Sequence, residues 1–403
     1  MKILVFGHHL ELGGSQFNSV ELSAVLERDH GHEVIVFAAP GPAVDLIHER
    51  GLSYVAAPRG QVHPSPAVMR AVRRLVAEHR VDIVHAWEWA QCLEAFYALQ
   101  LPGRLPVVGS DMSMEVTRFL PRCLPITYGT PALVEEARRS HTGPVELLEP
   151  PVDTERNHPT AVDPTEFKTC HGLDDGHFNV VVVSRLTSWL KLEGLERSMD
   201  AVGALARKCP VRLVVVGGGT AFDRLAARAA RINAQFGRRV AVLTGPMTDP
   251  RPAYAAADVV LGMGSSVLRG MAFAKPCIVL GEKGFSEPFN PHTSPRFLWE
   301  GFYGLGNGER SVDRLSAQIA ELLEGLDKLP ELGAFGRKVV EERFSLEVGA
   351  ATLDAFYRSA ADHAVSWPRA AVEGVRSALY RSASAFLPDG VRRQVTRRGL
   401  IGR

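Results

Sequence analysis

This chain of 403 residues has few cysteines, no long hydrophobic run and almost no net charge. Its five cysteines form no CxxC pair, and their odd number and wide spacing argue against a zinc knuckle or a disulfide framework. No run of about 18 apolar residues occurs, so we expect no segment that spans a bilayer. Because 46 basic side chains face 45 acidic ones, the chain as a whole has no electrostatic preference for nucleic acid.

What the chain does have is length and apolar content. At about 150 residues per domain the length predicts two to three domains, and a hydrophobic content of 46% is sufficient for packed cores. Scattered single cysteines are typical of a reducing compartment, and the apolar run before Gly7 is too short for a signal peptide. We therefore expect a cytoplasmic protein.

Short β-branched runs alternate with longer helical patterns, as in βα units on a parallel sheet that is covered on both faces. The first half predicts a helix over 16–29 and strands at 3–6, 34–37, 83–85, 107–109, 126–128 and 145–148. An irregular stretch to about residue 175 is interpreted as a linker or entry loop. The second half predicts strands at 179–184, 212–216, 240–244, 258–262 and 277–280.

Two such alternations in one chain predict an α/β protein with two doubly wound domains that face each other. In open α/β sheets ligands bind outside the carboxyl ends of the strands. We therefore expect the active site in a cleft between the two halves.

The loop after the first strand contains Gly13 and Gly14 directly before the first helix. Glycines allow close backbone approach, and a helix N-terminus offers N–H groups to an anion or a sugar hydroxyl. The loop is not GxGxxG, and no acidic residue ends the second strand, so a nicotinamide dinucleotide site is disfavoured. A purely structural loop remains an equal alternative.

A pair of cations follows the first strand of the second half. Arg185 lies at the strand end and Lys191 opens the next helix. A planar guanidinium and a point charge can together clamp a diphosphate, and the alternative is that both are solvated surface residues. Gly217 and Gly218 end the following strand. They permit close approach of a donor base or ribose, and a tight turn is the alternative.

A series of motifs runs through both halves: the glycine pair, Asp82-Ile83-Val84-His85, Pro151-Val152-Asp153, Ser184-Arg185-Leu186 with Lys191-Leu192-Glu193-Gly194, Val216-Gly217-Gly218-Gly219, Gly245, Ala257-Asp258-Val259-Val260 and Met271-Ala272-Phe273-Ala274-Lys275-Pro276. In order and spacing they resemble the retaining family 4 glycosyltransferases of the GT-B fold. The resemblance extends from residue 1 to about 360. It implies a Rossmann-like acceptor domain (1–160, joined by a crossing helix within 345–403) and a Rossmann-like nucleotide-sugar donor domain (165–344).

The resemblance also implies roles for single residues. Arg185 and Lys191 would hold the donor diphosphate and stabilise charge on the leaving nucleotide, while the glycine pair of the first loop would approach the donor phosphate. His85 is expected at a strand end that faces the acceptor, with a hydrogen-bonded core position as the alternative. Asp111 is expected to face the sugar.

One departure from the family lies before the Met271 helix. Arg269 stands where the second of two glutamates would hydrogen-bond the donor ribose, and both glutamates are missing. Gly264-Ser265-Ser266 before the helix still predicts an amide-rich phosphate cradle. Glu282 and Glu287 are candidates to restore a carboxylate, and solvated loop charges are the alternative.

The C-terminal tail is basic. From Arg369 to Arg403 there are eight arginines against Glu373 and Asp389, a surplus of six. The arginines are interleaved with apolar residues, which indicates an amphipathic helix on an anionic membrane, and a helix packed on the first domain is the alternative. These apolar residues are Val372, Val375, Leu379, Tyr380, Ala383, Phe386 and Leu387.

The expected function is transfer of a hexosyl group from a nucleotide sugar to an acceptor hydroxyl, with retention implied by the resemblance. No metal or further cofactor is expected, because cations and helix N-termini can neutralise a diphosphate. The acceptor is a glycan, a lipid-linked molecule or a small molecule, with peripheral membrane contact through the tail. Alternatives are another GT-B chemistry, such as epimerisation or inverting transfer, and a catalytically silent partner subunit.

Overall fold

The structure is a computed structural model that describes residues 1–385 except 12, 61, 104, 174–175, 309–311 and 364. The chain forms two compact units. The first contains Met1–Pro151 together with the chain from Leu346 onward, and the second contains Val152–Ser345. Each unit is built around its own sheet.

The strands are numbered in chain order. The first unit contains β1 (Lys2–Phe6), β2 (Glu33–Ala38), β3 (Ser53–Ala56), β4 (Ile83–Trp87), β5 (Val107–Asp111), β6 (Ile126–Tyr128) and β7 (Val145–Leu147). The second contains β8 (Phe178–Val183), β9 (Val211–Val216), β10 (Ala241–Gly245), β11 (Val259–Gly262), β12 (Cys277–Leu280) and β13 (Ser286–Pro288).

The helices are numbered in the same way. Those of the first unit are α1 (Gly14–His30), α2 (Val44–Glu49), α3 (Pro66–His79), α4 (Glu88–Ala95), α5 (Pro131–Arg138), α14 (Leu346–Asp362) and α15 (Trp367–Ala385). A π-helical turn, Phe96–Gln100, continues α4. Those of the second unit are α6 (Thr165–His171), α7 (Leu192–Leu205), α8 (Phe222–Phe236), α9 (Arg251–Ala255), α10 (Ser265–Ala272), α11 (Ser294–Glu300), α12 (Val312–Glu324) and α13 (Leu329–Arg343), with a 3-10 turn at Leu326–Lys328.

Both sheets have the doubly wound strand order that the sequence predicts. The first runs β3-β2-β1-β4-β5-β6-β7 and the second β10-β9-β8-β11-β12-β13. Alternate side chains of β1 enter different cores, since Leu4 and Phe6 pack in one cluster and Ile3 and Val5 in another. A strand that is apolar on both faces has to be covered on both, so the apolar runs of the sequence produce a parallel sheet between two helical layers.

The structure differs from the sequence prediction at four places. The short strand β3 was not predicted, and β13 pairs antiparallel with β12, so the second sheet is not purely parallel. The stretch interpreted as a linker contains the helix α6. The strand β4 ends at Trp87 rather than at His85, because its register with β5 continues to the pair Trp87–Ser110.

The predicted crossing helix is α14, which returns to the first unit and packs against α1. Its buried residues include Leu353, Phe356 and Tyr357, which enter the same core cluster as β1. The Tyr357 hydroxyl is hydrogen-bonded to the His85 Nδ1 atom at 2.6 Å. A segment more than 200 positions along the chain therefore completes one face of the first sheet.

Candidate active site

Each sheet has a switch point, at which the strand order reverses. In the first unit it lies between β1 and β4, and in the second between β8 and β11. The crevice outside the carboxyl ends of the strands at such a point is the usual ligand site of a doubly wound fold. The predicted site residues divide between these two edges.

At the edge of the second unit, Arg185 and Lys191 lie between the end of β8 and the start of α7. Arg185 is exposed, whereas the Lys191 ammonium is largely buried. Burial, aided by the charge of Arg185, lowers the pKa of Lys191 to about 8. Within the described ranges no carboxylate forms an ion pair with either side chain. Two adjacent cations without an acidic partner among the described residues favour an anion as ligand, and the predicted diphosphate clamp stays a prediction.

The glycines after β9 hold the loop that carries Arg185. Gly217 has a φ of +147°, and a Cβ atom there would clash with the Ser184 carbonyl oxygen. A Cβ on Gly219, with a φ of +142°, would clash in the same way with the Leu186 carbonyl oxygen. These glycines therefore allow two backbone segments to touch, which favours the tight-turn interpretation over direct approach of a base or ribose. At Gly218 a Cβ atom would lie 3.2 Å from the Pro246 ring.

The helix α10 begins at the neighbouring strand end, as predicted for Gly264-Ser265-Ser266. Gly264 precedes the helix with a φ of +60°, and the first turn contains no acidic side chain. The Ser266 hydroxyl donates to the Met263 carbonyl oxygen at 3.1 Å, so it closes its own turn. The first-turn amides of α10 thus lie one strand away from Arg185 and suit an anion.

The two carboxylates that were candidates to replace the missing glutamates lie in different environments. Glu287 lies within β13 and forms an ion pair of 2.9 Å with Arg296, whose guanidinium also lies 4.9 Å above the Phe285 ring. Glu287 is therefore paired with Arg296 on the edge strand, and its predicted donor role stays a prediction. Glu282 lies two residues after the carboxyl end of β12 and accepts a hydrogen bond of 2.5 Å from the Tyr303 hydroxyl.

Sequence reasoning missed a third carboxylate at this edge. Glu193, in the first turn of α7, accepts hydrogen bonds from the backbone N–H groups of Lys283 at 3.0 Å and Gly284 at 2.6 Å. It joins the helix that follows Lys191 to the loop after β12. Arg269 lies in the last turn of α10, where its charge acts on the buried Tyr254 hydroxyl.

In the first unit, the structure places His85 inside β4 rather than at its end. The side chain is 1% exposed. Its Nδ1 atom meets the Tyr357 hydroxyl and its Nε2 atom the Ser110 hydroxyl at 2.8 Å. Burial lowers the pKa of His85 to about 3, so the ring is neutral. Both ring nitrogens are hydrogen-bonded inside the core, which favours the alternative of a core histidine, and a role toward the acceptor stays a prediction.

Asp111 ends β5 as expected but is fully buried. Its Oδ1 atom accepts from the Ser113 backbone N–H at 3.1 Å and its Oδ2 atom from the Thr117 hydroxyl at 2.5 Å. Burial raises the pKa of this carboxyl above its usual value. Both oxygens organise the following loop, and the expectation that Asp111 faces the sugar stays a prediction.

Gly13 is the N-cap of α1 and Gly14 its first residue. The first turn has no acidic side chain, and its amides lie at the switch point of the first unit. The amide nitrogen of Gln16 is 2.7 Å from the Nε2 atom of His8, which closes the loop from β1. The predicted close approach of the backbone to a ligand stays a prediction.

Glu88 was missed because β4 was expected to end earlier. It is the first residue of α4, has a φ of +71°, and accepts a hydrogen bond of 2.5 Å from the Ser15 hydroxyl. Burial and the nearby Asp111 carboxylate raise the pKa of Glu88 to about 7. A polar residue directly after the aromatic end of a buried strand was the available signal.

The helix α15 has two different faces, and the membrane interpretation of the tail stays a prediction. One face packs on the first unit: Ala370 is buried, the Ser377 hydroxyl donates to the Phe119 carbonyl oxygen, and the Arg381 guanidinium lies 4.8 Å above the Trp89 ring. The other face exposes apolar side chains, namely Val372, Val375 and Leu379. The side chain of Ala383, and Phe386 and Leu387 entirely, lie outside the described residues.

The described residues contain no candidate metal cluster and no candidate membrane span. No group of three or more His, Cys, Asp or Glu side chains is arranged to hold a metal ion. In the same part of the chain, no helix is both long and apolar enough to cross a membrane.

The chain is similar in sequence to known glycosyltransferases. The family model described as Glycosyltransferase Family 4 matches residues 12–156, and the one described as Glycosyl transferases group 1 matches residues 177–324. A GDP-mannose-dependent alpha-(1-6)-phosphatidylinositol monomannoside mannosyltransferase of Mycobacterium tuberculosis is 28% identical over 381 residues. That match covers 86% of this chain and 94% of the relative.

The fold is also similar to solved structures. A glycosyltransferase from Rickettsia africae has a TM-score of 0.72 at 15% identity, over 90% of this chain and 99% of its own. Anabaena HepE, in complex with UDP and glucose, has a TM-score of 0.68 at 15% identity, over 89% of this chain and 100% of its own. At such identities the similarity demonstrates the shared fold.

Proposed function

Because this chain belongs to glycosyltransferase family 4 and has the GT-B fold, we propose that it transfers a hexosyl group from a nucleoside diphosphate sugar to an acceptor hydroxyl, with retention at the anomeric carbon. The observation that carries the proposal is the pair Arg185 and Lys191, two cations without an acidic partner among the described residues. We assign donor binding to the unit Val152–Ser345 and acceptor binding to the other unit.

The two cations have different tasks in this proposal. Arg185 is exposed at the end of β8, where its guanidinium can grip two phosphate oxygens at once. Lys191 is largely buried, so water screens its charge less, and a bound diphosphate raises its lowered pKa and keeps it protonated. As the bond to the leaving nucleotide breaks, negative charge grows on the diphosphate, and both cations stabilise it.

The N-terminus of α10 supplements these cations. Its first-turn amides follow β11, the strand that pairs with β8, and they bind an anion without a change in protonation. Arg269 replaces the glutamate expected to hold the ribose, so we propose that backbone amides and Glu282 bind this part of the donor. The proposed neutralisation uses protein groups alone and requires no metal ion.

The proposed acceptor is carried by a lipid. The mycobacterial relative is named for a phosphatidylinositol-based acceptor. In this chain, α15 exposes Val372, Val375 and Leu379 on one face, and the tail has eight arginines against two acidic residues. An apolar stripe on a helix that leads into an arginine-rich sequence suits an anionic membrane surface. We therefore place the protein at the inner face of a membrane as a peripheral protein.

The test is a panel of nucleotide sugars that includes GDP-mannose and UDP-glucose. We expect one of them to raise the melting temperature and to be consumed when acceptor is present. Proton NMR of the product then gives the anomeric configuration, and retention predicts the same configuration as in the donor. An inverted product or an epimerised nucleotide sugar would favour the other GT-B chemistries, and no response to any donor would contradict the proposal.

A further inference from the structure

Glu88 has a backbone conformation that is unfavourable for glutamate. Its φ of +71° lies in the left-handed region, although it is the first residue of α4. A non-glycine residue held there is strained, and such residues concentrate at functional sites. The strain needs a compensating reason.

The carboxyl group of Glu88 is also in an unfavourable electrostatic position. It is largely buried, and the groups that act on its pKa are the Ser15 hydroxyl, the Met112 backbone N–H and the Asp111 carboxylate. No cation is among them, and within the described ranges no ion pair includes Glu88. A buried acid beside a second acid destabilises the fold whenever it is ionised.

The location of Glu88 supplies a reason. It follows β4 and is hydrogen-bonded to Ser15 of α1, so this bond spans the β1–β4 switch point of the first unit. Gln91, three residues on and on the same face of α4, is 7% exposed. Its Oε1 atom has no hydrogen-bond partner in the described part of the chain. Among the described residues, this edge thus presents several oxygen acceptors, and no cation is among the groups that act on the pKa of Glu88.

We propose that Glu88, with Ser15 and Gln91, binds the hydroxyl groups of an uncharged sugar or cyclitol ring and so positions the acceptor hydroxyl. This inference rests on the proposed glycosyl transfer and names the acceptor class. Carboxylate and amide oxygens accept hydrogen bonds from ring hydroxyls, and the Ser15 hydroxyl can act either as donor or as acceptor. A phosphate in the same place would meet two carboxylates, Glu88 and Asp111, which disfavours an anionic group there.

The experiment compares wild type, Glu88→Gln and Glu88→Gly with the control Glu78→Gln on the exposed surface of α3. The probe is octyl α-mannopyranoside, whose binding is measured by saturation-transfer NMR. Wild type and Glu78→Gln are expected to bind it, and both Glu88 variants to bind at least tenfold more weakly. Glu88→Gly is expected to melt at a higher temperature than wild type, because glycine relieves the strained φ.

The outcomes separate a ligand contact from a structural role. Equal binding by all variants, no binding by wild type, or a lowered melting temperature of Glu88→Gly would each overturn the inference. The donor-induced melting shift is expected to be unchanged in both Glu88 variants. If no nucleotide sugar of the panel gives a response while binding of the octyl mannoside still depends on Glu88, the proposed glycosyl transfer is wrong but the inferred ring-binding site stands.

Discussion

Burial moves the proton affinities of Lys191 and Glu88 in opposite directions. Removal of water destabilises a charged group, so the pKa of the lysine falls to about 8 and the pKa of the glutamate rises to about 7. Both groups then titrate near neutral pH, whereas exposed Lys and Glu do not. At the residue scale, a bound anion or a ring hydroxyl can therefore change the charge of the site that binds it.

Lys191→Ala is expected to lower kcat/KM by about 30- to 1000-fold, which corresponds to about 2–4 kcal/mol of lost transition-state stabilisation. The physical reason is that the charge on the leaving diphosphate grows as the bond breaks. Steady-state kinetics with the preferred donor measure the effect. The control Lys208→Ala removes an exposed lysine of the same unit and is expected to keep wild-type turnover. Wild-type turnover in Lys191→Ala would refute the assigned role.

Glu88 is expected to make the protein less stable as the pH rises from about 4.5 to 7. In this window the unfolded chain releases the Glu88 proton while the folded protein retains it, so unfolding becomes more favourable with pH. The loss is on the order of 3 kcal/mol for the raised pKa. The Glu88→Gln side chain does not ionise, so the variant does not lose this stability. Urea denaturation should therefore show that its advantage over wild type grows across this pH range. Parallel pH profiles for the two proteins would contradict the expectation.

The helix α15 shows at the element scale how one segment can serve two surfaces. Its inner face is joined to the first unit by hydrogen bonds, including that from the Tyr97 hydroxyl to the Gly374 carbonyl oxygen at 2.7 Å and that from the Arg122 backbone N–H to Glu373 at 2.8 Å. Its outer apolar residues are spaced three and four apart, which places them on one stripe. Packing and membrane contact are therefore compatible uses of the same helix.

The double variant Val375→Glu and Leu379→Glu is expected to abolish sedimentation with acidic liposomes at low salt. Both side chains are exposed, at 61% and 66%, so the charges disturb the membrane contact and not the core. Wild-type binding should weaken as salt increases, because each arginine near the surface contributes about 1 kcal/mol that salt screens. The control Leu326→Glu changes an exposed leucine of the other unit and should leave binding intact.

Two results distinguish the membrane contact from packing alone. Negligible liposome binding by wild type at low salt would rule the membrane contact out. Truncation after His363 removes the buried Ala370 and its contact with Phe96 and Cys123, so it is expected to lower the melting temperature whether or not lipid binds.

At the scale of the whole molecule, positive charge is not in large excess but is concentrated locally. The net charge is +1, yet two cations without an acidic partner among the described residues lie at one strand end of the second unit. Local concentration of charge in a partly desolvated place, rather than a basic surface overall, is what an anionic substrate requires.

Addition of a chelator is expected to leave the transfer rate unchanged, because Arg185, Lys191 and the α10 amides neutralise the diphosphate in our proposal. Rates measured with EDTA, and after return of excess magnesium or manganese, provide the comparison. A strict requirement for either ion would show that carboxylates such as Glu282 hold a metal and that the protein groups do not suffice.

The sequence by itself determined the features that depend on neighbours along the chain. Apolar runs specified the central strands and hence the two doubly wound sheets, since such strands are stable only when covered on both faces. Arg185 and Lys191 could be paired because six positions separate them around one strand end. The crossing helix, which is α14, was expected through the family resemblance rather than through local sequence alone.

Only the tertiary structure decided the features that depend on distant segments. The His85 ring is enclosed in the core by Tyr357, which lies 272 positions further along the chain. Glu287 lies in the edge strand β13, whose antiparallel pairing with β12 could not be predicted from the local sequence. Glu88 could not be identified as a candidate site residue from the sequence, because β4 extends to Trp87 and places Glu88 at the start of α4. Its raised pKa arises from burial and from the nearby Asp111 carboxylate, and burial by segments remote in sequence is a property that no single segment encodes.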